Sequence, residues 1–145
     1  MKAITMIFLA IFLGKSCTNE AQNDLTNTTI QYTANTRGFY QKIVIINQKA
    51  TISRDRSEST LPEEINISDA DWKELVAAFG KINLEEVPKL KDPTQKRLYD
   101  GAAIANLKIR FQDQEFESPD FDHGFPPSAI EKLVNKIVEL AKEKE

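Results

Sequence analysis

Between residues 103 and 111 the chain alternates: Ala103, Ala105, Leu107, Ile109 and Phe111 are apolar, and Asn106, Lys108 and Arg110 between them are polar. Successive side chains of a strand point to opposite faces, so this period predicts a strand with one buried face. Asp113 and Gln114 then make a two-residue turn, and Phe116 returns to the buried side, so residues 103–118 read as a hairpin. From Ile130 the period becomes helical. Ile130, Leu133, Val134, Ile137, Leu140 and Ala141 share one stripe, and Ser128 with Glu131 spells a capping box just after Pro126 and Pro127. The stripe is expected to cover the hairpin.

The first half follows the same logic. Ile30, Tyr32 and Ala34 alternate with Gln31, Thr33 and Asn35, and Thr36-Arg37-Gly38 turns the chain, with Gly38 supplying a permissive backbone angle. Residues 39–46 are the most strand-prone stretch, and Asn47-Gln48 leads into a third alternating run through Ala50, Ile52 and Arg54. Residues 55–67 read as a polar connection. Ser68 then caps an acidic first turn (Asp69, Asp71) ahead of Trp72, Leu75, Val76 and Phe79, with Gly80 at the far end; this spacing predicts an amphipathic helix with Trp72 in the core. Lys89 to Arg97 reads as a basic, solvated connector. The expected architecture is α+β in the order β-β-β-α-β-β-α, a five-stranded, mostly antiparallel sheet with two helices packed on one face. The other face is left wet or free for a partner.

The first residues follow a different pattern. Lys2 precedes a mostly apolar run over residues 3–13, and Ser16 stands before Cys17, the one cysteine in 145 residues. The run is too short to span a bilayer. It resembles a bacterial lipoprotein signal peptide, in which the cysteine becomes the lipidated first residue of the mature chain; Lys15 departs from the usual small or apolar residue at its position. The resemblance implies a signal peptide over residues 1–16, a lipidated Cys17 with a polar tether over residues 17–28, and one domain over residues 29–145. Removing Lys2 and Lys15 takes the formal charge from −3 to −5. Membrane attachment then comes from the lipid, because an anionic domain is mildly repelled by anionic headgroups. The same balance argues against nucleic acid as a partner.

Candidate chemistry is sparse. His123 is the only histidine, which excludes a two-histidine metal site or a relay between histidines. Asp120, Asp122 and His123 carry donor types that suit a metal or an acid-base pair, and the same Gly124-Pro126 segment is also a plain helix-entry turn. No nucleophile elbow and no phosphate-cradling glycine loop occurs, so no cofactor is expected. Tyr40, Tyr99, Phe121 and Phe125, with Asp100 beside Tyr99, are the candidate contact residues, since aromatic side chains dominate binding hot spots.

The segments Arg37-Gly38-Phe39, Leu84-Glu85-Glu86-Val87-Pro88, Asp100-Gly101-Ala102 and Pro126-Pro127, in this order around the elements above, resemble emfourin-type small proteins over residues 30–141. That group includes a proteinaceous inhibitor of a thermolysin-like metalloprotease. With the absent catalytic constellation this layout implies a non-catalytic binding module with a protease or a complex subunit as its partner, and the signal-peptide resemblance implies that it is lipid-anchored in the bacterial cell envelope, periplasmic or outer-membrane-associated. The alternative is a small metal-dependent or hydrolytic envelope enzyme using the turn at Asp120, Asp122 and His123.

Overall fold

The computed structural model describes residues 25–142. Cys17, the signal peptide and most of the tether lie outside the described residues. The alternating runs form β1 (Thr29–Thr36), β2 (Phe39–Ile46) and β3 (Lys49–Ser53), joined as antiparallel neighbours with Tyr32 opposite Ile43 and Ile43 opposite Ile52. A fourth strand, β4 (Glu63–Asn66), pairs with β3 inside the stretch expected to be a polar connection. After helix α1 (Asp69–Gly80) and two 3-10 turns, Leu84–Lys89 and Lys96–Tyr99, come β5 (Ile104–Phe111), β6 (Gln114–Glu117), a two-residue β7 (Phe121–Asp122) and helix α2 (Glu131–Lys142).

Among the described residues the class is α+β with an antiparallel sheet and two main helices, and the expected count of five strands is corrected to seven. The sheet runs β4-β3-β2-β1-β5-β6, with β7 beside β5. The C-terminal hairpin therefore docks on β1 and places the first strand in the middle. β4 escaped the alternation test because Glu63, Glu64 and Asn66 surround a single Ile65, the composition of a charged edge strand. β7 is too short to carry any period.

Register explains the core. Ile30, Tyr32 and Ala34 of β1 face the same side as Ile43 and Ile45 of β2, Ala50 and Ile52 of β3, and Ala105, Leu107 and Ile109 of β5, and all are buried. The stripes of both helices close this layer: Trp72, Leu75 and Phe79 from α1, and Leu133, Val134, Ile137, Leu140 and Ala141 from α2. Each of these large apolar side chains contributes about 2 kcal/mol by leaving water. Leu25 joins the same core, so it reaches further toward the N-terminus than the polar composition of residues 17–28 suggested.

The turns show local chemistry at work. Asn47 and Gln48 have φ of 50° and 64°, and Gln112 and Asp113 have φ of 48° and 61°, the positive pair that matches the twist of a two-residue hairpin. The second turn thus sits one residue earlier than Asp113-Gln114, with Ile109 still opposite Phe116. Arg37 and Gly38 turn the chain without a positive φ, so the freedom of glycine is not used there. Ser68 Oγ accepts the Asp71 N–H at 3.2 Å and caps α1 as its sequence predicts. The entry to α2 is closed by backbone groups instead of a side-chain box, with the Ile130 N–H on the Pro127 carbonyl at 3.1 Å.

Candidate functional site

The segment from Asp120 to Phe125 leads from the sheet to α2, and its residues part company. Phe121 enters the core against Tyr32, with ring centroids 6.3 Å apart, which removes it from the candidate contact residues. Asp120 is exposed. Asp122 points the other way, into the segment that precedes β5, and is fully buried.

There the Asp122 carboxylate takes four donors from one short stretch. Thr94 Oγ1 donates at 2.6 Å, the Lys96 N–H at 2.6 Å, the Arg97 N–H at 3.0 Å and Arg97 Nη1 at 3.2 Å. Arg97 Nη2 reaches Asp92 at 2.8 Å, which closes the ring of charge. Burial opposes ionisation, and the hydrogen bonds from Thr94, the Arg97 and Lys96 amides and the Arg97 side chain outweigh it, holding the carboxyl down to about 2. The connector expected to be basic and solvated is thus fastened at its base, with its arginine turned inward.

What the fastening presents is the next turn. Leu98 and Tyr99 are 72% and 73% exposed, on a 3-10 turn whose capping residue Asp100 sits at φ 59°. The Gly101 N–H closes back on the Lys96 carbonyl at 2.7 Å, and a Cβ at Gly101 would stand 2.8 Å from the Tyr99 ring. Lys96 Nζ lies 3.9 Å from the centroid of Phe125, itself 40% exposed, so two more side chains of the same region pair as cation and ring. Tyr40 of β2 is half-buried, with the Arg56 guanidinium over its ring, 5.8 Å from the centroid.

His123 forms a separate unit. Its Nδ1 is 2.6 Å from the Tyr32 hydroxyl, and its ring packs 5.5 Å from that of Phe39. Burial raises the Tyr32 phenol far above its ordinary value, so it stays protonated, and burial together with the Lys142 charge lowers His123. The partner of this histidine is a phenol 91 residues away in the chain.

Asp120, Asp122 and His123 therefore do not converge. Among the described residues no group of three histidine, cysteine, aspartate or glutamate side chains is arranged to hold a metal ion. Both oxygens of Asp122 are already committed to donors, so that carboxylate has no open position for proton transfer.

One buried charge had no signal in the sequence. Lys136 of α2 reaches Asp71 at 2.6 Å, Glu74 at 2.8 Å and Glu139 at 3.5 Å, tying α1 to α2. The bonds to Asp71 and Glu74 raise its ammonium well above the ordinary lysine value. Comparison with protein-family models and with curated proteins finds no match for this chain.

Proposed function

We propose that this chain is a lipid-anchored, non-catalytic binding module of the bacterial cell envelope, which meets a protein partner such as a protease or a complex subunit through Leu98 and Tyr99. The observation that carries this reading is the pairing of two largely exposed apolar side chains with a fully buried carboxylate that fixes the base of their turn. An exposed leucine and tyrosine on a wandering loop would lose ordering entropy on binding; held in place, they keep more of the contact energy. Tyrosine is among the side chains that anchor interfaces, and the emfourin-like order of segments is consistent with such a role. The apolar run before Cys17 supports lipid attachment.

Two measurements test the two halves of the proposal. Metabolic labelling with palmitate is expected on the intact chain and not on Cys17→Ala. A photoreactive phenylalanine at Tyr99 is expected to give a discrete cross-linked protein in envelope preparations, and the same probe at Lys73, an exposed position of α1, is expected to give none. Absent labelling overturns the anchor, and identical cross-linking from both positions overturns the contact surface.

A further inference from the structure

The imidazole of His123 has a second nitrogen, and the bond from Tyr32 determines its state. The Tyr32 side chain is fully buried and its hydroxyl has the imidazole as its described partner, so the O–H donates to Nδ1 and the ring proton sits on Nε2. No buried side-chain nitrogen or oxygen among the described residues lacks a partner, and Nε2 has no hydrogen bond, so this N–H opens to solvent. His123 lines a cleft of about 320 Å³ between the Gly124 turn and α2. Val134 and Val138 form the apolar part of the lining, and Asn135, Glu139 and Lys142 supply polar groups. Glu139 is engaged with Lys136 at 3.5 Å, which leaves Lys142 as a cleft cation without a partner among the described residues.

A cleft of this size, with an apolar wall beside a few polar groups, has the form of a small-molecule site. We propose that it binds a small carboxylate with a short aliphatic tail, the carboxylate meeting the His123 Nε2–H and the Lys142 ammonium and the tail lying on Val134 and Val138. The charge decides between ligand classes: a proton donor and a cation at the mouth favour an anionic head, whereas a cationic head would face Lys142 directly. This site goes beyond the contact surface at Leu98 and Tyr99 and does not depend on it.

Because His123 is the only histidine of the sequence, its Hε1 proton gives one resolved NMR signal and a direct reporter. In the full chain carrying Cys17→Ala, titration with hexanoate is expected to shift that signal saturably, with half-saturation at or below about 10 mM. Hexylamine at the same concentrations is expected to leave it in place. Lys142→Gln, at an exposed position, is expected to weaken hexanoate at least tenfold, and Val138→Asp to abolish the shift while the rest of the spectrum stays folded. A linear, non-saturating drift with hexanoate, an equal shift with hexylamine, or an unchanged titration in both variants overturns the proposal.

Discussion

Asp122 and Asp55 use the same device with opposite reach. Asp55 accepts the Ser57 and Ser59 amides at 3.0 and 3.1 Å, their hydroxyls at 2.6 and 2.5 Å and the Thr60 amide at 3.2 Å, all within five residues. Asp122 gathers its donors from 25 to 28 residues away, across the break between sheet and connector. Hydrogen bonds hold both carboxyls well below their ordinary range, against the opposing effect of burial that is largest at Asp122. The difference lies in what each one orders. A local cluster shapes its own loop, which the unfolded chain also approaches through short-range bonds. A buried, long-range carboxylate makes one segment of the fold depend on another, and here the dependent segment is the one that carries Leu98 and Tyr99.

The contrast can be broken experimentally. Asp122→Ala takes this acceptor from the Thr94 hydroxyl, the Arg97 side chain and two backbone amides, and is expected to lower the unfolding free energy by about 3 kcal/mol, measured by urea denaturation. The same variant is expected to flatten acid unfolding. The folded-state value of about 2 lies below the ordinary 3.8, so the stabilisation from Asp122 is complete above pH 3.8 and is lost as the pH falls toward 2. Wild type should therefore lose stability through that window more steeply than Asp122→Ala. Thr94→Val removes one of the four donors and is expected to cost about 1 kcal/mol. Asp55→Ala is expected to shift the denaturation midpoint no more than an ordinary surface substitution, with faster amide exchange at Ser57 and Ser59 as its only local sign. An Asp55→Ala loss equal to that of Asp122→Ala would remove the distinction.

The same contrast explains what the sequence made legible. Period-2 and helical stripes are local, so β1, β2, β3, β5 and both helices, with Trp72 in the core, could be read directly from residue spacing. β4 hid behind Glu63 and Glu64, and Leu25 behind its polar neighbours, because composition averages over side chains that the fold sends in different directions. Lys136 sits between Leu133 and Ile137 on the buried side of α2, and nothing near it in the chain announces Asp71. At the candidate site, the types were visible and the relations were not. Asp122 and His123 adjoin in the chain yet face separate networks, one organised by Thr94 to Arg97 and the other by Tyr32. Those partners are set by strand register and the return of the connector, which no short motif encodes.

The backbone motion of residues 96–101, read by ¹⁵N relaxation in wild type and Asp122→Ala, tests the central claim most directly: that a buried carboxylate holds the Leu98 and Tyr99 turn in one arrangement. The account predicts order parameters above about 0.8 across Leu98 and Tyr99 in wild type, falling below about 0.6 when Asp122 is removed. Values already below about 0.6 in wild type, or unchanged by the substitution, would contradict it.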